Sequence, residues 1–239
     1  MTQDAFIRIV PADEADWHYE RRKRIQASDA AAVDGSSPWR TAAELYDEKT
    51  GMHTPEDISS KPYIRYGKEM EPIAREAFML DFPYFSLSYN RYDILASKER
   101  PWMGATLDGE LRVTVSPNPW GFPVGTKGIY EGKTGSWVKK ANLYAWDGTE
   151  SYIPAYYYSQ CLHQLSVTGW DFVIVSARLK REAFKDTDMG CPEIVQFYRI
   201  IDRRAAAVRE DMRTLEEAEE SFWKDNVLAH KRPPRRIAI

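Results

Sequence analysis

The amino-acid sequence predicts a mixed α/β (α+β) domain. Helix-forming segments stand at both ends of the chain, a block of short strand-like runs lies between them, and Pro- and Gly-rich turns punctuate that block. No repeat, low-complexity tract or Gly/Ser linker divides the 239 residues, so one domain is expected. The first forty residues run from a loop into a short helix near Ser28 to Val33. Ser28 is a candidate cap, and Asp29 suits the positive end of the helix dipole. A turn at Gly35-Ser36-Ser37-Pro38 follows, and Thr41-Ala-Ala-Glu44 is a capping box opening a helix that Gly51 ends. A second long helix covers Ile64 to Leu80, with Met70, Ile73, Ala74, Ala77 and Phe78 as its apolar face.

Strand-like runs follow at Arg91–Ala96, Leu111–Val115 and Gly128–Glu131. Pro154 opens a helix that continues through Gln160 to Val167. Trp170–Leu179 and Glu193–Ile201 are apolar enough for buried strands, joined by a charged loop. Asp202 to Asp225 carries strong helix formers throughout, and the tail from His230 to Arg236 should be loose.

Composition narrows the chemistry. With 43% hydrophobic and 29% charged residues the chain is ordinary globular protein rather than a disordered one. Its 33 basic and 36 acidic side chains leave a net charge of −3, which excludes a tail-driven polyanion binder but leaves room for a local basic site. Cys161 and Cys191 form no CxxC pair, and His18, His53, His163 and His230 form no HExxH pair. Disulfide scaffolds, four-cysteine zinc sites and iron–sulfur clusters are therefore excluded. No basic-then-apolar leader and no run of about 18 apolar residues is present, so a soluble cytoplasmic protein is expected.

The densest chemistry lies in Thr106-Leu107-Asp108-Gly109-Glu110 and Ile129-Tyr130-Glu131-Gly132-Lys133. On a strand, residues i and i+2 share a face, so Glu131 and Lys133 should project together, with Asp108 able to meet them from a neighbouring strand. Two hard carboxylates suit magnesium, and a lysine beside them can hold a water and offset phosphate charge. The alternative is a solvated cross-strand ion pair. Gly132-Lys133-Thr134 imitates the end of a phosphate-binding loop, but three residues rather than four separate Gly128 from Gly132, which rejects that reading.

Three further positions stand out. Glu71 shares a helix side with Ala74 and Phe78, so it either turns inward or pairs on the surface with Lys68 or Arg75. Arg21-Arg22-Lys23-Arg24, just before the helix at Ser28, either holds an anion at that helix start or is a solvated basic face. Gln160, on a helix with His163 and Gln164 and near Tyr156, Tyr157 and Tyr158, either touches the metal site or satisfies buried polar groups.

Taken in order, these segments form a pattern. Trp17-His18 through Arg21 to Ser28-Asp29, Ser37-Pro38-Trp39 with Glu44 to Gly51, Tyr66-Gly-Lys-Glu-Met-Glu71-Pro72, Ala105 to Gly109, Tyr130 to Lys133, and Tyr158 through Gln164 to Gly169 resemble the YqaJ-type viral recombinases. This family includes lambda-type exonucleases within the PD-(D/E)XK nuclease superfamily, and the likeness spans residues 17 to about 176. It implies a PD-(D/E)XK core with a central mixed sheet flanked by helices, one nuclease domain over 1–239 with a core of about 17–225, and a loose tail at 229–239.

The resemblance also implies roles. Asp108 and Glu131 would hold catalytic Mg2+, two ions per site with Mn2+ able to substitute. The Gly132 carbonyl and Glu71 would complete the ligands, Lys133 would be the catalytic lysine, and Gln160 would support the site. Arg21 and Ser28 would form the pocket for the 5′-phosphate of a DNA end, and Ile64 the wedge that splits its terminal base pair. The implied activity is 5′→3′ digestion of double-stranded DNA to mononucleotides, leaving 3′ tails. A homotrimeric ring, a single-strand annealing protein as partner, no membrane, and the cytoplasm of a bacterium or phage-infected host cell go with it. Leu107 departs from the usual proline, and the segment between Asp108 and Glu131, with Pro117 to Pro123, is long and reads as an extended hairpin. An endonuclease of the same superfamily and a silent DNA-end-binding protein are the rival readings; a Cas4-like nuclease lacks its cysteine ligands here.

Overall fold

A five-stranded mixed sheet forms the centre of the molecule, in the order β3-β6-β7-β8-β9. The computed structural model describes residues 4–54, 56, 58–136, 145–148, 152–181 and 193–234. In chain order the elements are β1 (Phe6–Ile9), α1 (Glu14–Arg22), β2 (Ile25–Gln26), α2 (Ala30–Asp34), α3 (Ala42–Lys49) and α4 (Pro62–Asp81). Then come β3 (Phe85–Ser88), β4 (Ile94–Ser97), β5 (Met103–Ala105), β6 (Gly109–Val113), β7 (Lys127–Ser136) and α5 (Ala155–Thr168). β8 (Phe172–Arg181), β9 (Glu193–Asp202) and α6 (Ala206–Ser221) follow, and a π-helical turn over Phe222–Leu228 extends α6.

The long segment after Asp108 is the expected hairpin: β6 and β7 run antiparallel, from Gly109↔Tyr130 to Arg112↔Lys127. β7 and β8 are parallel, and parallel neighbours need a crossover, which α5 supplies. Pro154 precedes α5, and Gly169 ends it in the left-handed region at φ 68°.

The sheet separates two apolar layers, because alternate strand residues face opposite ways. Ile129, Val173, Val175 and Ala177 pack with Cys161, Leu162 and Leu165 of α5 and with Met212 and Leu215 of α6. Tyr130, Phe172 and Ile174 pack the other way, against Phe78 of α4 and Phe85, Leu111, Val113 and Phe122. Gly128 marks the tightest approach, since a Cβ there would lie 2.2 Å from the Phe172 ring.

The mixed α/β prediction holds, and most elements fall within a few residues of their expected bounds. Three differences have physical causes. A second, four-stranded sheet, β1-β4-β5-β2, was not foreseen, although its β4 overlaps the run expected at Arg91–Ala96; the other three strands are two to four residues long, too short for periodicity to register. Residues expected as a leading loop form β1 and α1; Asp13 caps α1 by accepting from Asp16 N at 2.9 Å. On α4 the apolar face is rotated from the expected one: Phe78 is buried, but Ile73 is 54% exposed and Ala77 faces solvent. The helix instead turns Glu71, Ala74 and Phe78 inward.

The capping box at Thr41 and Glu44 is present, and Gly51 follows α3 at φ 75°. Ser28 caps nothing; its hydroxyl accepts from Arg21. Within the tail, Arg232 bonds both oxygens of Asp47 and Pro233 is buried, while residues 235–239 lie outside the described residues, as does the charged loop before β9. Among the described residues no helix is long and apolar enough to cross a membrane.

Candidate active site

β6–β7 pairing stops at Gly109↔Tyr130, so β7 continues from Glu131 to Ser136 with β8 on one side and, among the described residues, no strand on the other. Gly132 N–H points to that free edge and would be orphaned there. Asp108, one residue before β6, accepts from it through Oδ2 at 2.9 Å. Strand pairing thus places Asp108 beside Glu131 without any special loop.

Glu131 and Lys133 share the face toward α5. Lys133 Nζ donates to Glu131 Oε1 at 2.5 Å and to Gln160 Oε1 at 2.9 Å, and it lies 4.5 Å from the Tyr157 ring centre. Gln160 Nε2 donates to Glu131 Oε1 at 2.5 Å, and Gln164 Nε2 to Oε2 at 2.6 Å. Burial of the Glu131 side chain to 1% exposure and of Lys133 to 13% removes the solvated-pair alternative. One helical turn separates Gln160 from Gln164, so a single face of α5 supplies both amides.

The open side of this arrangement is a cleft lined by Gly67, Glu71, Ala74 and Arg75 of α4 and by Asp108, Gly132, Lys133 and Thr134. Gly67 permits the close approach, since a Cβ there would sit 3.2 Å from Thr134 Oγ1. Glu71 is half-buried on the cleft wall; Arg75 turns aside to stack on Tyr89 at 3.8 Å and to donate to the Asp108 carbonyl at 3.4 Å. The inward alternative for Glu71 is therefore the one observed.

Charge is unevenly matched here. Burial raises the Asp108 carboxyl to about 8, with the Glu131 charge adding to the effect. Burial also raises Glu71, and Glu131 pushes the same way while Arg75 opposes. Burial works against the Lys133 ammonium, but Glu131 and Asp108 outweigh it and hold its pKa above the ordinary value. Among the described residues no group of three or more His, Cys, Asp or Glu side chains converges into a ready metal-ligand set, and the Glu131 oxygens are taken up by two amides and the ammonium.

Of the basic run, Lys23 and Arg24 are neutralised by Glu20. Arg21 turns elsewhere: its guanidinium donates to Ser28 Oγ at 3.2 Å and stacks 4.4 Å from the Trp17 ring. Trp17 Nε1 in turn donates to Thr106 Oγ1 at 3.1 Å, which ties the Arg21–Ser28 pair to the short connection leading into Asp108. Beneath them Asp29 is buried and, against that burial, held well below the ordinary range by Lys49 and Arg40.

Thus Asp108, Glu131, Gly132, Lys133, Gln160 and Glu71 come together. Arg21 and Ser28 form a second cluster linked through Trp17, and Ile64 lies in the first turn of α4, half-buried and outside the cleft lining. Sequence reasoning gave no role to Gln164; its spacing of four from Gln160 was the available signal.

The profile of the YqaJ-like viral recombinase domain matches residues 16–171. The uncharacterized protein YqaJ of Bacillus subtilis (strain 168) is 29% identical over 218 residues, covering 91% of this chain and 58% of its own length. The chain thus spans well under two-thirds of that relative. Among solved structures, the alkaline exonuclease LHK-Exo of Laribacter hongkongensis superposes with a TM-score of 0.57 at 17% identity, covering 91% of this chain and 96% of that one. Its complex with dAMP superposes with a TM-score of 0.56 at 18% identity and the same coverage. The fold is therefore that of an alkaline exonuclease, and the chain belongs to the YqaJ-like viral recombinase family.

Proposed function

We propose that this chain is a divalent-metal-dependent exonuclease that digests double-stranded DNA from the 5′ end, releasing mononucleotides and leaving a 3′ tail. The observation that carries this reading is the gathering of Asp108, Glu131 and Lys133 along the free edge of β7, beside a cleft that Asp108, Lys133 and Glu71 line. That the similar exonuclease LHK-Exo forms a complex with dAMP supports a nucleotide product.

The donor chemistry suits magnesium, although among the described residues these carboxylates are not gathered into a ligand set in the metal-free chain. Asp108, Glu131 and Glu71 are hard oxygen donors whose mutual repulsion calls for a cation, and the Gly132 carbonyl shares the free strand edge with its N–H. Two ions would be held by these groups, with manganese able to replace them. When bound, such ions supply an activated water and neutralise charge on the phosphate.

The protein's own groups do the positioning. Lys133, kept charged by Glu131 and Asp108, faces the cleft and can offset charge on the scissile phosphate. Gln160 orients both Lys133 and Glu131. Arg21 and Ser28 would receive the terminal 5′-phosphate, Arg21 being pre-oriented by Trp17. Ile64 would act as the wedge. Phosphate contacts dominate in this scheme, so activity should be indifferent to sequence and fall with salt. A homotrimeric ring and an annealing protein that receives the 3′ tail complete the proposal.

The test uses linear duplex carrying one 5′-phosphate and one 5′-hydroxyl, with magnesium, beside a closed circle. Wild type should degrade the phosphorylated strand and spare the circle, and Lys133→Ala should be inactive. Cutting of the circle would instead make the protein an endonuclease, and end binding without cleavage would make it a binder.

A further inference from the structure

Trp39 is 70% exposed, yet it is not carried on a loose loop. Ser37 Oγ accepts from the backbone N–H groups of Trp39 and Arg40 at 3.3 and 3.2 Å, and Ser37 N donates to the Ala31 carbonyl at 2.9 Å. Ser36 and Ser159 hydroxyls meet at 3.4 Å, fastening the loop to α5 one residue before Gln160. The indole stands edge-to-face on Tyr156 at 4.6 Å, Tyr156 contacts Tyr157 at 4.3 Å, and Tyr157 lies beneath the Lys133 ammonium. In the other direction, Arg40 bonds Asp29, the residue after Ser28. A solvent-facing indole on a hydrogen-bonded loop is therefore linked through Tyr156 and Tyr157 to the catalytic lysine, and through Arg40 and Asp29 to the neighbourhood of the Arg21–Ser28 cluster.

We propose that Trp39 is a stacking platform for the base of the terminal nucleotide of the DNA strand being digested. The inference rests on the reading above. An enzyme that removes one nucleotide at a time holds the 5′-phosphate and the next, scissile phosphate together, so the terminal base is attached to the sugar between those two anchors. Once unpaired, that base needs an apolar face, and an indole offers one that any of the four bases can use. Sequence indifference is thereby preserved, which a hydrogen-bonding pocket would not allow.

The test places 2-aminopurine at the 5′-terminal position of a 5′-phosphorylated duplex and measures its fluorescence and affinity with a chelator present to prevent turnover. A duplex with the probe ten positions inward is the control. Wild type should quench the terminal probe on binding. Trp39→Ala should abolish the quench and weaken terminal binding by roughly 5- to 150-fold, the range for loss of one stacked base. Trp39→Phe should retain most of both, and the internal probe should respond alike in all three proteins. Unchanged quench and affinity in Trp39→Ala would overturn the platform while leaving the nuclease reading intact. So would weakened binding with the quench preserved. Failure of wild type to bind the phosphorylated end at all would overturn both readings.

Discussion

Gln164→Leu separates the support of Glu131 from its chemistry. Gln164 is fully buried, and its amide is the donor to Glu131 Oε2 at 2.6 Å. Leucine keeps nearly the same volume, so the substitution removes a donor without opening a cavity. A hydrogen bond to a charged group contributes about 1.5–3 kcal/mol, and the carboxylate oxygen left behind has no water to turn to. The Gln164 carbonyl oxygen is itself buried without a partner, so its loss returns a little of that stability. The net expectation is a destabilisation of about 2 kcal/mol, or a fall in Tm of roughly 4–8 °C for a domain of this size.

Activity should fall further than stability suggests. Residues that orient metal-site carboxylates from behind typically alter activity by about 10- to 100-fold, and Gln164 fixes the one oxygen of Glu131 that Lys133 and Gln160 do not touch. Thermal unfolding followed by circular dichroism gives the first number, and single-turnover digestion of a phosphorylated duplex gives the second. Gln160→Leu is the comparator: Gln160 is less buried, so it should cost less stability and more activity. A Gln164→Leu protein that melts within about 1 °C of wild type and digests at the wild-type rate would refute the argument that the amide holds Glu131.

Asp108→Asn should change how the metal-free protein responds to pH. The folded carboxyl is raised to about 8, far above its unfolded value, so the proton stabilises the fold at low pH and that contribution is lost as pH rises from about 4 through 8. Wild type should therefore lose on the order of a few kcal/mol more than Asp108→Asn between pH 5 and pH 9, and parallel denaturation curves would contradict this. Arg21→Ala should abolish the preference for phosphorylated over hydroxyl 5′ ends, with digestion of hydroxyl ends little altered; an unchanged ratio of the two rates would remove Arg21 from the phosphate pocket. Gly128→Ala drives a methyl into the Phe172 ring and should cost about 1–3 kcal/mol by overpacking, recovered in part by Phe172→Leu; equal melting of wild type and Gly128→Ala would show that the ring yields freely.

The candidate site was legible because its groups are local in sequence and a simple pairing rule joins them. Residues 131 and 133 share a strand face by alternation, and Gly109↔Tyr130 pairing brings Asp108 alongside. Gln164 could be read as a support only through its spacing of four from Gln160, since no local pattern says that α5 lies against β7. The second sheet was hidden for a similar reason: Phe6 pairs with Ser97 across most of the N-terminal half, and such long-range pairing leaves no local trace. α1, with no buried residue, has no apolar stripe to find. On α4, apolar content pointed to Ile73, but the structure leaves it in water and turns Glu71 inward. Hydrophobic periodicity misleads where a carboxylate takes a place on the inward face.

That exchange bears on what the cleft is for. Burying a carboxylate beside two others opposes folding unless something offsets the charge, and among the described residues Lys133 is the one cation bonded to Glu131. Arg75, the nearest alternative, is committed to Tyr89 and a backbone carbonyl rather than to Glu71. The metal-free chain meets the excess by raising Asp108 and Glu71 toward their protonated forms. A cation entering the cleft would do what those protons do, and would release them as it bound. Metal affinity should accordingly rise with pH through the Asp108 titration, and wild type should gain more thermal stability from magnesium at pH 9 than at pH 6. Equal gains at both pH values would mean that the ion, if it binds, does not compete with the Asp108 proton, and the electrostatic case for placing it there would fail.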